Sequence, residues 1–395
     1  MVIARYPFFL LIILSVMMLS ACGNTVVHKG APIDHYPKTT DGIIDPVEIA
    51  TVLDLRQTTN IESLIPSLRD NRVVYIGETH DNYSHHNAQF EIIAALKAQG
   101  ADLAIGMEMF QRPFQKYLDD YIAGTITEAE MLRKTEWYDR WVYDYRYYRP
   151  ILNFAQEYGI PVIALNTPRE ITSQVSKQGI ESLTDQQRSQ IPADIDYSDA
   201  AYSERLRAIF RQHDEKAERN FERFKQVQLL WDEGMALRAA DYLKEHPGKQ
   251  LVVLAGSGHL MHGSGIPNRV KRRLPVASAI VLPGGDLKVE PGIADFIIFP
   301  RKVSLPAAAL MGIYMDQTAE GVRVSELAKE GAAEKSGIQR DDVIVGFDGV
   351  DVTSTADIRI GLLSKRPGDH VRVDVLRKGV LFGSKRIAMD LVLGE

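Results

Sequence analysis

The chain has a single cysteine, Cys22, among 395 residues. That excludes an intrachain disulfide and any zinc or iron–sulfur centre built on several cysteines, so a metal site would have to use His, Tyr, Asp or Glu. Basic residues are also in deficit, 46 against 52 acidic ones, and a formal net charge of -6 leaves no electrostatic footprint for nucleic acid. Beyond Cys22 there is no apolar run of the about 20 residues that a membrane-spanning helix needs. The N-terminal apolar run, Phe8–Leu19, is too short for a span; it follows Arg5 and ends in Leu19-Ser20-Ala21-Cys22, the small-residue pattern that precedes a lipid-modified cysteine. Residues 1–22 are therefore expected to be a lipoprotein signal peptide, with Cys22 the acylated, palmitate-type anchor; each buried methylene contributes roughly 0.8 kcal/mol to holding it in a bilayer. Gly23, where an aspartate would favour retention at the inner membrane, points to the outer membrane of a bacterial envelope, facing the periplasm.

The length suits two domains behind a tether. Residues 23–45 are rich in Thr, Pro, Lys and Gly without periodicity and read as that tether. Apolar, β-branched runs follow at Val73–Ile76, Leu103–Met107, Val162–Leu165, Leu251–Ala255 and Ala279–Leu282, separated by helical patterns such as Ser84–Ala98. Strands alternating with helices imply crossovers and a mostly parallel α/β sheet flanked by helices over 46–300. Pro113–Tyr148 and Thr184–His246 exceed plain crossovers and are expected to be helical insertions.

Polar signatures sit where the predicted strands end. Gly77-Glu78-Thr79-His80 follows the first strand, Gly106-Met107-Glu108 ends the second, Asn166-Thr167-Pro168-Arg169 follows the third and Gly256-Ser257-Gly258-His259 the fourth. In an open parallel sheet these loops converge on one crevice. Five of the ten histidines follow two of the strands, His80, His85 and His86 after the first and His259 and His262 after the fourth, and His80 with His259 is the first-choice ligand pair for a metal, with Glu78 or Glu108 as orienting group, ligand or general base. His86 shares a helical face with Phe90 and Ile93 and is as well explained by packing. The segment Trp137–Pro150 holds two of the three tryptophans and a dense tyrosine cluster interleaved with arginines. Aromatic walls, a tyrosinate or imidazole ligand and arginines for propionates are what a porphyrin requires.

Taken in order, Gly77-Glu78-Thr79-His80-Asp81, Glu108-Met109-Phe110, Trp141 followed by Tyr148-Arg149-Pro150, Ala164-Leu165-Asn166-Thr167-Pro168-Arg169 and Gly256-Ser257-Gly258-His259 resemble the ChaN-like family of haem-binding lipoproteins. The resemblance implies an iron-regulated outer-membrane lipoprotein that takes part in haem uptake or storage. It also implies haem held at a homodimer interface with tyrosine as the iron ligand. Tyr148 best matches the family's motif, with Tyr145 and Arg149 beside it; Tyr83, Tyr143 and Tyr147 stay open as alternatives. The strand-end Glu and His signatures are also similar to the wider erythromycin esterase and Tiki superfamily, which implies a divalent-metal hydrolase with Glu78 and Glu108 as catalytic groups.

From Leu310 the pattern changes. Leu310-Met311-Gly312-Ile313, Gly331–Ile338, Asp341–Ile344, Gly346-Phe347-Asp348-Gly349, a helix near Ala356–Leu363 and a closing strand Val371–Arg377 resemble a β-rich PDZ domain, over residues 306–395. The resemblance implies that backbone amides of Met311, Gly312 and Ile313 receive the C-terminal carboxylate of a peptide from an envelope protein, which adds as a strand.

Overall fold

The structure, a computed structural model, describes residues 58–213, 221–285, 287–379 and 383–395. The expected signal, Cys22 and tether lie outside these residues. Among the described residues no helix is long and apolar enough to cross a membrane.

Six parallel strands form the first sheet: β1 (Val73–Glu78), β2 (Leu103–Gln111), β3 (Val162–Asn166), β4 (Gln250–Gly256), β5 (Ser278–Pro283) and β6 (Phe296–Ile298). Their order is β3-β2-β4-β1-β5-β6. Every residue of β1 to β4 is buried, as aliphatic runs without polar alternation require when helices cover both faces. Alternation survives in which side each residue packs on: Val74 and Ile76 join one core with Ile92 and Leu254, while Val73 and Tyr75 join another with Met235 and Val253. The helix after β1 spans Tyr83–Ala98 and starts where the Asn82 side chain accepts the Ser84 N–H at 3.1 Å. β6, too short to read from sequence, extends the edge beside β5.

Both long insertions are helical. The first contains the helix Glu128–Lys134, opened by a Thr127/Glu130 capping box. The second contains Ala200–His213 and the 25-residue helix Phe221–Glu245. The long helix carries a fully buried carboxylate, Glu233, which accepts from Arg272 at 2.8 Å and forms an ion pair with Arg273 at 2.7 Å, and so ties it to the helix Ile266–Arg273. A buried charge is tolerable only when paired in this way.

The C-terminal sheet is antiparallel: β7 (Ile313–Thr318), β8 (Gly321–Leu327), β9 (Val343–Phe347), β10 (Val350–Asp351), β11 (His370–Lys378) and β12 (Ser384–Val392), ordered β12-β11-β9-β8-β7 with β10 on β9. Strand β7 starts at Ile313, and Leu310 makes an isolated bridge to Gly394. One sequence expectation changes here. The chain does not close at Arg377: β12 pairs with β11 along nine residues, its largely exposed, charge-rich pattern being that of an edge strand.

The helix Thr355–Leu362 of this sheet packs on the first insertion. Arg133 Nε donates to Asp357 Oδ1 at 2.7 Å, Ile360 enters the first domain's core, and the Arg359 guanidinium lies 5.6 Å from the Tyr138 ring centre.

Candidate functional site

Glu78, Glu108 and the loop of His259 meet because β1, β4 and β2 are neighbours, with Glu78 in register with Gly256. Glu78 closes β1 and is 2% exposed; its Oε1 contacts His80 Nδ1, while its buried Oε2 has no hydrogen-bond partner. His86 Nε2 stands 3.9 Å from that oxygen but bonds the His80 carbonyl at 3.1 Å. Glu108 Oε2 accepts the Gly256 N–H at 2.8 Å, and its Oε1 lies 3.4 Å from His259 Nε2. Ligand-type atoms of Glu78, His80 and Glu108 all fall within 4.8 Å of one another.

The two histidines singled out as a pair have different partners. His80 belongs with Glu78. His259 Nδ1 is held by Asp232 Oδ1 at 2.6 Å, and Asp232 Oδ2 accepts from the Tyr202 hydroxyl at 2.5 Å. Sequence reasoning missed Asp232 and Tyr202, which the second insertion delivers to the sheet edge. The available signal was Asp232 and Glu233 standing between Trp231 and Met235, two acids on the apolar side of a helix.

Burial and charge compete in this cluster. Burial raises the Glu78 carboxyl pKa, with the hydrogen bond from His80 opposing. For His80, burial works against a charge, but Glu78 and Glu108 outweigh it and raise the pKa. For His259, burial is again outweighed, by Glu108 and Asp232, and the pKa is pushed up to about 9. His86 is the opposite case: burial dominates and lowers it to about 4.

The aromatic segment forms the wall next to His80. The His80 ring lies 5.0 Å from Trp141 and 4.8 Å from Tyr143 between centres. Tyr148 and Tyr145 are fully buried. The Tyr148 hydroxyl accepts the Trp141 indole N–H at 3.2 Å, and the Tyr145 hydroxyl donates to Glu128 at 3.2 Å. Burial raises both phenols far above their ordinary pKa, which opposes a tyrosinate. Arg149 forms two bonds to Glu128 and reaches Leu363 O at 3.3 Å and Ser364 Oγ at 3.0 Å, so it joins the two domains. Tyr143, by contrast, is partly exposed beside His80, and its neighbour Val142 is 84% exposed. Among the remaining histidines, His85 Nδ1 accepts the Thr79 N–H at 3.1 Å and His262 pairs with Glu290 at 3.3 Å.

In the C-terminal sheet, Met311 is buried with its carbonyl accepting the Ala333 N–H at 2.8 Å. Gly312 has φ +73°, and a Cβ there would meet Gly331 Cα at 3.0 Å, so both backbone conformation and space call for glycine. Ile313 begins β7, the edge strand.

A family model described as haem-binding uptake, Tiki superfamily, ChaN matches residues 64–270, and a PDZ domain model matches 309–382. The solved structure of ChaN of Campylobacter jejuni, described as showing cofacial heme binding, shares 19% identity with a TM-score of 0.50. The match covers 61% of this chain and 91% of that one, a likeness of fold. Among curated proteins, the serine protease Do-like HtrB of Bacillus subtilis is 46% identical over 70 residues, 18% of this chain and 15% of that protein. Protein RETICULATA-RELATED 5, chloroplastic, of Arabidopsis thaliana is 23% identical over 235 residues, 53% of this chain and 31% of that protein. The chain thus spans less than a third of either curated relative.

Proposed function

Because the chain belongs to the family described as haem-binding uptake, Tiki superfamily, ChaN, and carries a PDZ domain behind it, we propose that it binds haem on the Tyr143 face of the strand-end cluster. The observation that carries this reading is the pairing of a partly exposed phenol, Tyr143, with the imidazole of His80 at 4.8 Å between ring centres, beside the exposed side chain of Val142. This donor set and flat apolar border fit a porphyrin. Bound haem would supply an iron centre. The chain supplies the tyrosine oxygen, an imidazole oriented by Glu78, and the Trp141 ring as wall.

Tyr143 replaces Tyr148 as the proposed iron ligand, since the Tyr148 oxygen is enclosed. A surface that offers one wall leaves the other haem face uncovered, which supports a homodimer closing over it. The chain is proposed to act tethered through Cys22 at the outer membrane, in haem or iron acquisition or storage. The PDZ domain is proposed to take the C-terminal peptide of an envelope protein along the free edge of β7. Titration of the full chain with haem is expected to give a saturable Soret shift. Tyr143→Phe should weaken binding about tenfold, a loss of about 1.4 kcal/mol, while Tyr148→Phe leaves it within about twofold. No saturable shift would sink the proposal; an effect confined to Tyr148→Phe would return the ligand to that residue.

A second reading, a metal-dependent hydrolase, has its own observation: three ligand atoms of Glu78, His80 and Glu108 within 4.8 Å, with one buried Glu78 oxygen unpartnered. A divalent ion there would act as a Lewis acid on water. About one equivalent of metal in the purified protein, lost in Glu78→Gln, is the expected result on this reading. Metal content that is unchanged in Glu78→Gln excludes it.

A further inference from the structure

Beside the cluster lies a cavity of about 500 Å³, within the range of about 300–1,000 Å³ usual for small-molecule sites. It opens between the loop after β1, Tyr147, and the connector 299–305 that leads from β6 towards the C-terminal sheet. That connector falls between the two family-matched stretches, 64–270 and 309–382.

The connector is held in place as a wall. The Val303 N–H donates to Ser84 Oγ at 3.0 Å, and the Ser84 hydroxyl lies 3.3 Å from the Val303 carbonyl. Arg146 Nη1 donates to the Pro306 carbonyl at 2.9 Å. Phe299 is 70% exposed yet its ring packs closely against Gly284 after β5, leaving no room there for a Cβ. Facing it, the Tyr83 and Tyr147 rings stand 6.2 Å apart at 33°, and Tyr147 stacks on the buried His86. Lys302 lines the same cavity and makes no ion pair among the described residues. The acid at the rim is Asp81, the residue after His80. The cavity therefore borders the proposed haem face, since Asp81 follows His80 and Tyr147 stacks on the His86 ring that bonds the His80 carbonyl, and it carries an ammonium from the connector.

We propose that this cavity receives the carboxylate-bearing edge of the porphyrin, with Lys302 pairing a carboxylate and Phe299, Tyr83 and Tyr147 flanking the ring. The connector is then part of the ligand site as well as a link between domains. The inference rests on the haem reading above, and ligand chemistry separates the two. Full-length protein and its Lys302→Glu and Phe299→Ala variants are titrated with haem and with haem dimethyl ester, following the Soret band. Lys302→Glu should weaken haem about fivefold, as expected for loss of an exposed ion pair, and leave the dimethyl ester within about twofold; the difference should shrink in high salt. Phe299→Ala should weaken both ligands. Equal effects of Lys302→Glu on both ligands, or none on either, overturn the subsite. If the native chain binds neither, the haem reading itself fails and takes this one with it.

Discussion

Trp137→Ala is expected to lower the unfolding free energy by about 3–5 kcal/mol, the usual cost of removing a buried aromatic from a core. Trp137 is 1% exposed, and its ring lies 5.2 Å from Phe110 and 5.3 Å from both Tyr145 and Tyr148. It joins the end of β2 to the aromatic segment that stands beside His80. The indole N–H is buried without a hydrogen-bond partner, so Trp137→Phe removes volume without breaking a bond and should cost less than half as much. Urea denaturation of both variants checks this. A loss below about 1 kcal/mol for Trp137→Ala would mean that the surrounding rings collapse into the space.

Stability of the ligand-free protein, measured in chelator, should fall on both sides of a maximum near neutral pH. His259 has its pKa raised to about 9 in the fold, above the ordinary value of about 6.5. A raised histidine stabilises fully below pH of about 6.5, and the contribution fades as pH climbs through 9, a change of about 3 kcal/mol. His86 has the opposite sign. With a folded pKa of about 4, the unfolded chain binds the extra proton, so stability is intact above pH of about 6.5 and drops by about 3 kcal/mol as pH falls towards 4. Glu78, whose pKa is raised by burial, pulls against this acid-side loss. Thermal melts across pH 4–10 should therefore show a flattened alkaline limb in His259→Asn and a flattened acid limb in His86→Asn. An alkaline limb unchanged in His259→Asn would show that the Glu108 and Asp232 carboxylates do not hold a charged imidazole.

Much of the fold is legible because burial leaves a one-dimensional trace. A strand covered on both faces must be aliphatic throughout, and the runs at Val73, Leu103, Val162, Leu251 and Ala279 became the five longest strands of the parallel sheet. The strand-end rule also located Glu78, His80, Glu108 and His259, since loops at one edge of a parallel sheet must lie together. β6 and β12 were not legible: the first has three residues, and the second is an edge strand with mostly exposed side chains, so neither carries the apolar signal.

The sequence by itself therefore determined the layering, the edge where the chemistry gathers and the change to a second module near Leu310. Tertiary structure alone decided which tyrosine faces outward, because Tyr143, Tyr145 and Tyr148 lie within one dense aromatic stretch and differ only in what packs over them. It also decided that Asp232, 27 residues before His259, is that histidine's partner, and that Arg149 joins the two domains. Local pattern specifies which strands are buried on both faces, because a continuous aliphatic run has no other stable place, but it does not sort the side chains of a uniformly aromatic stretch. Which other buried group a side chain meets depends on chain crossings far away in sequence, and those exist only once the sheet and its insertions have packed.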